Sequence, residues 1–178
     1  MTPHLSDCSP ASKWIRRNNS IYISLDPMRI ALVALFAAGA CAHAKASDVG
    51  DAIEQLASSA SKVVLYSLRP IPDPLSKHSL EHYPIVGEAE ITARSEQQAL
   101  LAALARGHRE SPKQVPMCFK PHHGLRVESR GHTVHFVICF ECLQFYATGL
   151  GEIGYFTTSR SPQRIFDEAL ARHHIAPK

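Results

Sequence analysis

The stretch CFKPHHGLRVESRGHTVHFVICFECLQFY, Cys118 to Tyr146, reads as one long β-hairpin. Arg130-Gly131 supplies the turn, and β-branched and aromatic residues fill the arms, Leu125 to Glu128 and His132 to Tyr146. With that turn Ser129 opposes His132, and the pairing runs back to Phe119 opposite Cys142. The same stretch holds three of the five cysteines and four of the eleven histidines. Thiols and imidazoles at this density point to a disulfide, a metal site or a reactive thiol.

Upstream of the hairpin, helices alternate with strands. Val49, Ile53, Leu56 and Ala60 fall at helical spacing within Ser47 to Ser61, with Ser47 as N-cap. KVVLYSL, Lys62 to Leu68, is a strand, and Pro70, Pro72 and Pro74 open a loop that runs to about Pro84. Ile85 to Thr92 alternates as a second strand. Ser95 to His108 is a helix, with Ser95 and Gln98 as a capping box and Leu100, Leu101, Leu104 and Ala105 as its apolar stripe. Downstream, Ile153 to Thr157 adds a strand, and Ser161-Pro162 opens a last helix reaching His173. The expected fold class is α+β: an antiparallel sheet of four to five strands with about three helices packed on one face.

The N-terminal region reads differently. Met28-Arg29 precedes an uncharged run, IALVALFAAGACAHA, from Ile30 to Ala44. A basic start, a short apolar core and an Ala-x-Ala exit make residues 28–44 a secretory signal peptide. The run is too short for a transmembrane helix of about 20 residues. Residues 1–27 are polar and without amphipathic period, a mis-called or disordered extension. Cleavage before Lys45 releases a freely exported chain, periplasmic or extracellular. The alternative is a bacterial lipobox ending at Cys41, whose lipidation leaves a membrane-anchored lipoprotein; Ala38 stands where such a motif usually has leucine.

Residues 45–178 then form one domain. Four of the 19 basic residues (Lys13, Arg16, Arg17, Arg29) and two of the 16 acidic ones (Asp7, Asp26) precede it, leaving 15 against 14 and a net charge of +1. No basic stripe with interleaved aromatics remains, which argues against nucleic acid as a partner. Contact with a membrane is expected only through the signal peptide or a lipid anchor.

Three chemistries compete for the cluster. Cys118, His123, Cys139 and Cys142 have permissive spacing for zinc, but a metal knuckle at Cys139-Phe140-Glu141-Cys142 needs a tight turn that ICFECLQ does not advertise. A disulfide from Cys118 to Cys139 or Cys142 would close a loop of roughly 25 residues and contribute about 3 kcal/mol; one thiol is left over in each scheme. This structural disulfide, with no cofactor, is the expected state. A nucleophilic thiol activated by His123 or His135, with Glu141 orienting, is the third reading. Arg126 beside the cluster is an anion site or a strand-edge charge. No Ser-His-Asp arrangement, phosphate loop or H-E-x-x-H helix is present.

MCFKPHHGLRV…VICFECLQFY resembles the signature of an uncharacterised family of bacterial exported proteins and lipoproteins, C-F-x-P-R-H-G/A-[IL]-R followed by a strand ending I-C-F-E-C-x-Q. KVVLYSL, YPIVGEAEI and the LLAAL helix share in the resemblance, which implies export and a common site at Cys118, His123, Arg126, Cys139, Glu141 and Cys142. His122 stands where that signature has arginine. No activity follows from the resemblance. The incomplete catalytic constellation favours a binding or structural module of the cell envelope over a metal- or thiol-dependent enzyme.

Overall fold

Three helices and seven strands build the domain in the computed structural model, which describes residues 48–151 and 153–176. The expected signal peptide, the extension before it and the alternative lipidation site at Cys41 lie outside the described residues. The chain runs α1 (Val49–Ser59), β1 (Ala60–Leu68), β2 (Ser79–Leu80), β3 (Tyr83–Glu90), α2 (Arg94–Arg109), β4 (His123–Ser129), β5 (His132–Cys139), β6 (Gln144–Thr148), β7 (Gly154–Thr157) and α3 (Gln163–Arg172). All pairings are antiparallel, in the order β2-β3-β1-β4-β5-β6-β7. Among the described residues no helix is long and apolar enough to cross a membrane.

The α+β class and the three helices are as expected, but the sheet has seven strands instead of four or five. Two local features supply the difference. Glu81 and His82 take positive φ, 48° and 72°, and fold the end of the Pro-rich segment into a two-residue turn between β2 and β3. The expected strand His132 to Tyr146 is broken at residues 140–143, where Leu143 (φ 56°) reverses the chain so that Cys139 pairs with Gln144. The central hairpin has the anticipated register from Ser129–His132 to His123–Ile138. The pairing ends there and does not reach Phe119 and Cys142, because the chain turns away at residues 140–143. Ser129 pairs with His132 across Arg130-Gly131, both at positive φ, which is the geometry a two-residue hairpin turn demands.

The helices begin slightly off the expected caps. Asp48 caps α1, its Oδ1 accepting from the Gly50 N–H at 3.2 Å. Ala93 precedes α2, so the Ser95 capping box does not form; Gln97 turns inward instead and donates to the Ile91 carbonyl at 2.7 Å. Pro162, not Ser161, stands at the start of α3.

Strand alternation sorts the sheet into two faces. Val63, Leu65, Leu125, Val127, Phe136, Ile138 and Phe145 point to one core with Ile53 and Ala57 of α1, Leu100, Leu101 and Leu104 of α2, and Phe166 and Leu170 of α3. The opposite face is covered by the chain's own loops and the β2–β3 ribbon: Val64, Tyr66, Leu68, Leu80 and Val137 pack there with Tyr83, Phe119 and Tyr146. The site is built on this second, helix-free face.

Candidate functional site

Cys139 is the last residue of β5 and shares the helix-free face with Val137, two residues before it. The turn that follows brings Cys142 back over it. Cys139 and Cys142 lie at disulfide distance, with Cα atoms 5.2 Å apart, and both are 1 % exposed. The tight turn that the residue types did not advertise is therefore present at residues 140–143. Its backbone is closed by the Leu143 N–H to the Phe140 carbonyl, and by the Cys142 N–H to Cys139 Sγ at 3.1 Å.

Cys118 joins this pair from the segment before β4. That segment is tied to the turn by Gln144 Nε2, which donates to the Pro116 carbonyl at 2.7 Å. It is also held by the Phe119 ring, edge-on to Tyr83 and to Tyr155 at 6.0 and 5.0 Å. The Cys118 thiol is exposed and free, and it donates to Cys142 Sγ at 2.7 Å. The Lys120 N–H reaches the same Cys142 sulfur at 3.4 Å. Cys142 Sγ meets both other sulfurs, but the pair at disulfide distance spans the turn, whereas the expected pairing joined Cys118 to one of the other two. The cause is the turn at 140–143, which puts Cys139 and Cys142 across from one another.

His123 belongs elsewhere. It lies one strand position from Gly124 and alternates with Leu125 and Val127, so its ring enters the helix-side core, 5.2 Å from Phe140 and 5.9 Å from Phe166. Its Nε2 meets Asp167 Oδ1 of α3 at 2.8 Å. Burial holds the imidazole below its ordinary value near 6.5, with Asp167 pulling the other way. Cys139 and His123 therefore sit on opposite faces of the sheet, and the four-residue set Cys118, His123, Cys139 and Cys142 is not assembled. Among the described residues no group of three or more His, Cys, Asp or Glu side chains is placed to hold a metal. For the same reason His123 does not face the thiols as a base.

Arg126 and His135 pair across β4 and β5 on the helix-free face. His135 Nδ1 meets Glu81 Oε1 at 2.7 Å, and Thr148 donates to the same oxygen at 3.1 Å, so the β2–β3 turn is latched onto the sheet. Arg126 leans toward Glu128 at 3.4 Å, and its buried Nε has no partner. It borders a polar cleft of about 410 Å³ with Lys62, His78, Glu88 and Glu90. Glu141 is exposed in its turn, and the carboxylate that meets His135 is that of Glu81. A second cleft, of about 390 Å³, is lined by Pro72, His82, Tyr83, Phe119, Tyr146 and Tyr155. Tyr155 stands 63 % exposed and packs 5.1 Å from Tyr146.

Asp167, Glu81 and the tyrosine cleft carry no signal in the sequence pattern, because each joins elements distant along the chain. Comparison of the chain with protein-family models, with curated proteins and with solved structures finds no match.

Proposed function

We propose that the chain is an exported cell-envelope domain acting as a binding or structural module, with Cys139–Cys142 closed as a disulfide that fixes the β5–β6 turn. The observation that carries this reading is the pair at disulfide distance across that turn. Disulfides persist in oxidising compartments, which agrees with the signal-peptide pattern of residues 28–44 and with the exported family that the CFKPHHGLR…VICFECLQ motif resembles. The fixed turn supports one wall of the tyrosine cleft, since Tyr146, which lines it, lies in β6 just after the turn. Aromatic rings with one exposed edge are suited to hold a flat apolar group while their hydroxyls stay wet.

Native intact mass spectrometry of the protein expressed from Met28 with export intact tests the reading. The expected product begins at Lys45 or at a lipidated Cys41, is lighter by two hydrogens than the reduced chain, and yields a linked Cys139–Cys142 peptide. A retained leader with all thiols reduced, or a stoichiometric zinc adduct lost on acidification, would overturn it.

A further inference from the structure

The third sulfur has no role in a turn staple, yet it is placed against one. Cys118 is exposed, Cys142 is buried, and their sulfurs are 2.7 Å apart. We infer that Cys118, Cys142 and Cys139 form a thiol–disulfide exchange relay that carries the disulfide between a buried and an exposed position. In the forward step Cys118 loses its proton to solvent and its thiolate attacks Cys142 Sγ. The Cys118–Cys142 bond forms, the Cys139–Cys142 bond breaks, and Cys139 departs as a thiolate that then takes up a proton. One disulfide is exchanged for another, so no oxidant or reductant is consumed.

The surroundings favour this route over its alternatives. Cys142 is the central sulfur, in contact with both others. The Cys142 N–H points at Cys139 Sγ from 3.1 Å, where it stabilises negative charge on the departing sulfur. Cys118 sits in a segment of irregular backbone between α2 and β4, flanked by the fully exposed Met117, so its movement breaks no strand pairing. The consequence is access. A soluble thiol cannot reach sulfurs that are 1 % exposed, but once the bond lies between Cys142 and Cys118 it can attack Cys118 and form a mixed disulfide there, releasing Cys142 as the thiolate.

The relay rests on the Cys139–Cys142 pair of the preceding section and is independent of the compartment, so purified full-length chain serves for the test. The chain is equilibrated in glutathione buffer at pH 8, quenched in acid to remove thiolates, alkylated with maleimide and mapped by peptide mass. Expected are both linkages, Cys139–Cys142 and Cys118–Cys142, the lesser at about 1 % or more, with the free thiol on Cys118 in the first form and on Cys139 in the second. A map with Cys139–Cys142 alone, or with Cys118 linked to Cys8 or Cys41, would sink the relay and leave the turn disulfide standing. A map without any Cys139–Cys142 linkage would sink the disulfide of the module reading as well. The exposed variant Cys118→Ser gives an independent readout that does not depend on a substitution in the core. It is expected to slow reduction of the pair by glutathione severalfold, and an unchanged rate counts against the relay.

Discussion

Between Phe140 and Phe166 there is little water to solvate an imidazolium, and His123 is held neutral there with its Nε2 proton donated to Asp167. Because its folded-state value lies below the ordinary one near 6.5, the unfolded chain takes up this proton first as pH falls. The contribution is therefore complete above about pH 6.5 and is lost as pH drops from there through the lower folded-state value. Urea unfolding at pH 7.5 and pH 5 should show the decline. His123→Phe keeps the ring contacts and drops one hydrogen bond; it is expected to cost about 1 kcal/mol at pH 7.5 and to flatten the decline. An equally steep fall in the variant would place the acid sensitivity on other groups. Gly149 is a second residue fixed by its surroundings. Its φ is +78° and a β-carbon there would run into the Thr133 carbonyl oxygen, a backbone atom that cannot step aside. Gly149→Ala should cost more than about 2 kcal/mol, measured by the same unfolding, whereas Gly131→Ala, with open space around it, pays only for its φ of +80°.

At the scale of elements, the end of α1 is held by a residue from a different helix. Arg94 donates its guanidinium to the carbonyls of Ser58 and Ala60, the free acceptors where α1 gives way to β1. Arg94→Met keeps the length of the side chain and should destabilise the domain by about 1 kcal/mol, with faster hydrogen exchange confined to the last turn of α1; exchange quickened throughout the sheet would contradict this local role. What a single sequence reveals of these elements follows from how locally each is specified. Arg130-Gly131 fixes the β4–β5 register because a two-residue turn leaves no freedom, and the Leu100-Leu101-Leu104 stripe fixes the buried face of α2. The β5–β6 turn escaped because ICFECLQ contains no glycine, asparagine or proline, and its reversal is made by a leucine at φ 56°. That one missed turn also concealed the Cys139–Cys142 pairing and moved Cys118 from partner to neighbour. The β2 strand escaped because two residues beside three prolines carry no period.

Across the whole molecule, the two faces of one sheet separate the buried His123–Asp167 pair from the thiol chemistry. His123 and Asp167 lie under α3, while the three sulfurs, Arg126 and His135 lie on the side the helices leave open, so residues adjacent in sequence act in different environments. The sulfurs also tie the site to global stability in a way that two substitutions distinguish. A Cys139–Cys142 bond closes a loop of four residues and contributes about 2 kcal/mol by chain entropy, so reductant should lower the melting temperature of the oxidised protein by about 6 °C for a domain of this size. Cys142→Ser removes the central sulfur and should melt like the reduced protein, indifferent to reductant. Cys139→Ser leaves Cys118 facing Cys142, and under oxidation that pair would close a loop of roughly 25 residues, worth between about 3 and 4 kcal/mol. The oxidised Cys139→Ser protein should therefore recover at least the melting temperature that Cys142→Ser loses, and reductant should take that recovery away. Two variants that melt alike, both indifferent to reductant, would mean that Cys118 cannot replace Cys139 and that its sulfur is only a neighbour of the bond.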